Sequence, residues 1–315
     1  MKYLTYISVI LLAVAQFSCQ KDPLSNIESG DWSNERSIEN IKFENQAGQA
    51  EIARLDASTG EVQVSINVDA VPDLSNIVIE ELVLDYGATA SVEEGDALNF
   101  ENESNSATIT VTSQTGKTRD YTVVASSFTE ELLGTYNISA LSLFGGTGPS
   151  YGGAAVLDFT SKPWVWPESG GPAAELDNTI TFELEGITEE GNTYGTITNS
   201  AGDDGMYADF IFVGDPQTDV NHFYRKIPEG EGEWLRNYNN GTIEFTFPDG
   251  STTTGSFESS GTKDLGNGIT KTIDNFALQF ELNGTDDWDN IYSDYDKFVK
   301  NPRQYWIDIS RQSSN

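Results

Sequence analysis

Hydrophobic and polar residues alternate along most of this chain in short runs, the period-two pattern of strands with one buried face. Val62, Val64, Ile66 and Val68 alternate with Gln63, Ser65 and Asn67. Ile77–Ile79, Leu82–Leu84, Ala107–Val111 and Tyr121–Val124 are further short apolar segments, and Gln114–Lys117 separates the last two as a hairpin turn. Short strands packed this closely predict a β-sandwich. The pattern resumes beyond residue 128. Ile180, Phe182 and Leu184 share one face; Ile243, Phe245 and Phe247 share another. The turn Pro248-Asp249-Gly250-Ser251 then leads into Thr252–Phe257. Phe276, Leu278, Phe280 and Leu282 form another strand, and Tyr305–Ile309 closes the chain. Only Ser293–Lys300 reads as helical, ending before Pro302. The chain is therefore predicted to be all-β, with a sandwich over 36–127 and a larger second unit, sandwich or closed barrel, over 128–315.

The first residues follow a different rule. Met1-Lys2 precedes an apolar run from Tyr3 to Ala15, shorter than the ~20 residues a membrane span needs and suited to a signal peptide. Ser18 then stands directly before Cys19, the one cysteine of the chain. Two readings are open: a lipoprotein signal (1–18) cut before an acylated Cys19, or an ordinary secretory signal with an incidental cysteine. Residues 19–35 are polar, contain Pro23 and Gly30, and read as a flexible tether.

Composition narrows the function classes. Fifty acidic residues face 17 basic ones, for a formal charge of −33. Such a charge repels phosphate backbones and anionic headgroups, which excludes nucleic-acid binding and polybasic membrane contact. With one Cys and one His there is no intrachain disulfide and no Cys/His zinc site.

The aromatic residues carry the candidate chemistry. Lys162-Pro163-Trp164-Val165-Trp166-Pro167 lies between glycine-rich stretches. Two prolines favour extended backbone, in which Trp164 and Trp166 stand side by side as a flat surface for sugar rings; the alternative is that both cap the core. Trp234, Arg236 and Tyr238 fall in a glycine-rich polar loop that is either a binding loop or a hairpin tip. Trp306 alternates out of phase with Tyr305, Ile307 and Ile309, which predicts partial exposure. Asp203-Asp204 and Asp286–Asn290 offer hard oxygen ligands of the kind calcium takes, without EF-hand spacing. No other cofactor is expected, and no hydrolase motif stands out.

Several segments resemble known families. Gln16-Phe17-Ser18-Cys19 resembles the relaxed lipobox of Bacteroidota lipoproteins, although Gln16 and Phe17 depart from its commonest form. Ile41-Lys42-Phe43, Ala88–Val92, and Thr110–Val123 resemble the immunoglobulin-like, cadherin-like sandwich repeats of surface lipoproteins in the same bacteria. Glu131–Tyr136 looks like the opening strand of lipocalin-like domains. The whole organisation resembles the SusE/SusF-like glycan-binding lipoproteins of polysaccharide-utilisation systems. That resemblance implies a lipid-anchored protein of the outer membrane, exposed at the cell surface. It would capture a polysaccharide, such as a marine algal glycan, beside SusC-like and SusD-like partners, without cleaving it. The alternatives are a lipoprotein that docks on the transporter without binding sugar, and a glycoside hydrolase or polysaccharide lyase.

Overall fold

The computed structural model describes residues 33–68 and 74–312. Cys19, the signal segment and residues 19–32 of the tether lie outside the described residues. The chain divides into two compact units, one up to Ser127 and one from Phe128 onward, with Ala47–Gln49 grouped with the second.

The first unit is a sandwich of two sheets. One contains β1 (Ile38–Phe43), β4 (Ile77–Leu84) and β6 (Ala97–Leu98) in the order β1-β4-β6. The other contains β2 (Gln46–Arg54), β3 (Thr59–Asn67), β5 (Thr89–Ala90), β7 (Ser106–Thr112) and β8 (Thr118–Phe128) in the order β2-β3-β8-β7-β5. Both sheets turn their apolar faces to one core: Ile38, Phe43 and Ile79 from the first meet Val64, Ile109 and Tyr121 from the second. The predicted apolar pieces at 77–79 and 82–84 are a single strand. A register break opposite Lys42 and Phe43 shifts its phase at Glu80, which is why its two halves read as separate pieces.

The second unit is an eight-stranded antiparallel barrel. Its staves are β9 (Gly134–Gly145), β11 (Thr179–Ile187), β12 (Thr193–Ser200), β15 (Gly230–Asn237), β16 (Thr242–Thr246), β17 (Thr252–Asp264), β18 (Thr270–Glu281) and β19 (Pro302–Arg311). Each pairs with the next, and β19 returns to β9 to close the wall. Of the two architectures left open for this unit, the barrel is the one formed. β10 (Ala155–Asp158) pairs with the second half of β9, whose first half pairs with β11. A two-stranded ribbon, β13 (Ile211–Phe212) with β14 (Thr218–Asp219), sits in a long connection. The helical reading near the C-terminus corresponds to a single π-helical turn, Asp296–Lys300.

Large side chains pack inside the barrel. Phe182, Trp234, Phe245, Phe280 and Tyr305 all belong to one continuous buried cluster. No helix among the described residues is long and apolar enough to cross a membrane.

Candidate functional site

The two ends of the barrel differ. One has tight turns between β11 and β12, β15 and β16, and β17 and β18. The other has long connections over 146–178, 201–229 and 282–301. Aromatic residues from all three connections lock together over the barrel mouth. Phe159, Phe210, Tyr224 and Phe298 pack around Trp166 with ring centroids 5.2–6.5 Å away. The Tyr224 hydroxyl donates to the Phe298 carbonyl at 2.7 Å, and burial pushes the phenols of Tyr224 and Tyr305 well up. This plug gives the surface loops a rigid floor.

On that floor the two tryptophans of the proline-flanked segment part company. Pro163–Val165 is a 3₁₀ turn rather than extended backbone. Each residue of such a turn rotates by about 120°, so positions two apart do not share a face. Trp166 is 5% exposed and lies flat on Phe159, 5.2 Å between centroids and 9° between planes. Trp164 is 65% exposed, with the Lys162 ammonium 5.2 Å from its ring centre. The expected pair is therefore corrected to one free indole and one core residue.

Trp164 borders an open cleft of 580 Å³, walled by Pro163, Pro167, Glu168, Asp204 and Met206 and floored by Phe159 and Trp166. The indole N–H of Trp166 is buried there without a hydrogen-bond acceptor. A cleft with an apolar floor, one exposed aromatic wall and a few polar groups is the usual form of a small-ligand site.

A second aromatic surface lies on the neighbouring connections. Tyr151, Trp288 and Tyr292 are 69%, 56% and 62% exposed. Tyr151 meets Trp288 edge-on at 5.9 Å, and the Tyr292 hydroxyl donates to the Tyr151 carbonyl at 3.3 Å. Gly148, at φ +63°, lies under Trp288; a Cβ there would come within 3.1 Å of the indole. Asp296, fully buried, fixes the loops from below. It accepts from the Thr147 N–H at 2.7 Å and the Thr147 hydroxyl at 2.8 Å, and that hydroxyl accepts from the Asp287 N–H at 2.6 Å. Lys162 links the two surfaces, since the cation beside Trp164 pairs with Asp294 at 3.1 Å. Sequence reasoning missed Tyr151 and Tyr292 and took Trp288 only as a neighbour of carboxylates. The signal present was a bulky aromatic in a polar, glycine-bearing loop with no alternating partner.

The other expected site residues are structural. Trp234 points into the lumen, where its indole N–H donates to the carbonyls of Glu183 and Thr196, both at 3.1 Å. Gly195 makes this possible, for a Cβ there would sit 1.9 Å from the Glu183 oxygen. Arg236 and Tyr238 lie at the tight-turn end and both bond buried Glu130, which also accepts from the Thr193 hydroxyl at 2.6 Å. Burial and the neighbouring carboxylate push the Tyr238 phenol well above its ordinary value. Trp306 does face away from the lumen, as its phase requires, yet it is fully buried. Phe144, Ala154, Ile273 and Ala277 cover it, and its N–H donates to the Gln279 side chain at 3.1 Å. Trp234 and Trp306 thus offer no face to a ligand, and Arg236 and Tyr238 are engaged by Glu130.

The acidic clusters serve as loop fasteners. Asp286 accepts from Asn301 at 2.7 Å and Arg303 at 2.8 Å, Asp287 accepts from Asn290 at 2.7 Å, and Asp204 accepts from the Met206 N–H at 2.8 Å. Among the described residues no group of three or more His, Cys, Asp or Glu side chains is placed to hold a metal ion.

No family model and no curated protein matches this chain. One solved structure found by comparison is a Bacteroides thetaiotaomicron protein described as a "putative glycoside hydrolase". It is 12% identical over 89% of this chain and 84% of its own, with a TM-score of 0.23, a likeness too slight to argue from.

Proposed function

We propose that this protein captures a polysaccharide through the loops at the long-connection end of its barrel, holding the chain without cleaving it. The observation that carries this reading is Trp164, a large apolar ring held 65% exposed at the edge of a 580 Å³ cleft. Leaving an indole in water forgoes about 1.5–3 kcal/mol of burial, and a flat ring beside carboxylates suits the C–H faces and hydroxyl rims of sugars. The cleft carboxylates Glu168 and Asp204 supply acceptors for those hydroxyls. The lipobox-like Ser18-Cys19 supports an acylated, outer-membrane-anchored form, and the organisation of the chain supports a place beside SusC-like and SusD-like proteins, with the sandwich as spacer.

The test is native affinity electrophoresis of the chain carrying Cys19→Ala in gels containing algal and plant polysaccharides, with reducing ends assayed in parallel. Retardation that Trp164→Ala reduces, with no new reducing ends, is the expected result. New reducing ends would make the cleft a hydrolase site. Retardation by none of the polymers would leave the transporter-docking role as the better account.

A further inference from the structure

We propose that Tyr151, Trp288 and Tyr292 form a second saccharide-contact surface, linked to the Trp164 cleft and suited to uncharged sugar units. The inference rests on the glycan-capture reading and extends it to residues and to a ligand class.

Three observations carry it. First, the surface is built rather than accidental. Trp288 rests closely on Gly148, where a Cβ would come within 3.1 Å of the indole, and the loops beneath are tied through Thr147 to buried Asp296. Tyr292 holds φ +77°, a left-handed conformation unfavourable for a bulky residue, while keeping its ring 62% exposed. A strained backbone that presents an aromatic to water is the combination that marks ligand contacts. Second, an ion pair ties the surface to the edge of the cleft. Lys162 lies over Trp164 and pairs with Asp294, two residues from Tyr292, whose hydroxyl donates to the Tyr151 carbonyl. Third, the charges select the ligand. Asp287 and Asp289 bracket Trp288, and the flanking cations Lys162 and Arg303 are each engaged, by Asp294 at 3.1 Å and Asp286 at 2.8 Å. A sulfate or uronate laid on Trp288 would enter a segment that carries Asp286, Asp287 and Asp289, whereas a neutral hydroxylated ring meets no such repulsion.

Two connected surfaces predict a length effect. A short oligosaccharide fills one of them, and a longer one reaches both and gains affinity by an intramolecular second contact. The experiment is isothermal titration of the full chain in detergent with uncharged oligosaccharides of increasing length, taken from whichever neutral polymer retards the protein in gels. Trp288→Ala and Tyr151→Ala should abolish the gain on lengthening, a loss of about tenfold or more for the long oligomer, and leave the short oligomer unchanged. Tyr151, the more exposed residue, guards against a folding artefact at Trp288, and melting curves of both variants should overlay the parent. If Trp164→Ala weakens binding while neither platform variant does, the second surface is refuted and the capture reading stands. Preference for sulfated or uronic chains over neutral ones refutes the ligand class. If no glycan binds, both readings fall together.

Discussion

Glu130 stands four residues before β9 begins, and its carboxylate gathers four donors: the Leu132 N–H, the Thr193 hydroxyl, the Tyr238 hydroxyl and the Arg236 guanidinium. The acid is buried and Arg236 is mostly so. A buried charge keeps its place only while its partners remain, so removing one partner is far costlier than replacing the pair. Glu130→Ala is therefore expected to destabilise the barrel unit by about 3–5 kcal/mol, read by chemical denaturation. A loss under about 1 kcal/mol would mean that water serves Arg236 as well as the carboxylate does. Arg236 and Tyr238 looked like ligand donors in sequence because nothing local absorbs their polarity. Their partner lies 106 and 108 residues away along the chain. Local pattern is blind to that distance.

At the scale of elements, the segment Lys162–Pro167 sets two tryptophans two positions apart in opposite environments. Trp166 touches Phe159, Phe210, Phe212, Tyr224 and Phe298, so Trp166→Ala opens a cavity in the plug and should cost about 3–5 kcal/mol. Trp164→Ala removes an exposed ring and should change stability by no more than about 0.5 kcal/mol while it weakens glycan retention. Urea denaturation of the two variants side by side decides the matter, and equal losses would contradict the division of roles. Strands such as β18, with Phe276, Leu278 and Phe280, were legible because period-two alternation follows directly from one buried face. The 3₁₀ turn was not, since proline fixes its own φ but leaves the turn type to the packing of Trp166. Trp306 shows the same limit in another form. Its phase along β19 was readable, but β10 and the β17–β18 hairpin cover that outer face, with Val156, Leu265 and Ile269 packed at its margin. Alternation tells which side of a strand a residue takes and nothing of what lies across it.

For the whole molecule, charge is the dominant fact. Fifty carboxylates and 17 basic residues crowd one chain, so the acids outnumber the cations that could pair with them, in ion pairs such as Lys271–Asp308 and Arg225–Glu175, about threefold. Folding brings the excess acids together, so self-repulsion opposes the compact state. Salt shortens the reach of that repulsion from about 30 Å at 0.01 M to about 3 Å at 1 M. Sodium chloride should therefore raise the melting temperature steadily across that range. A fall would show that the specific ion pairs outweigh the diffuse repulsion. The same screening separates the ligand classes. Retention of an uncharged glycan on Trp164 and Trp288 rests on stacking and hydrogen bonds and should hold constant as salt rises. A sulfated or uronic chain approaching this acidic surface should bind more tightly with salt, because there the screened force is repulsion between ligand and protein.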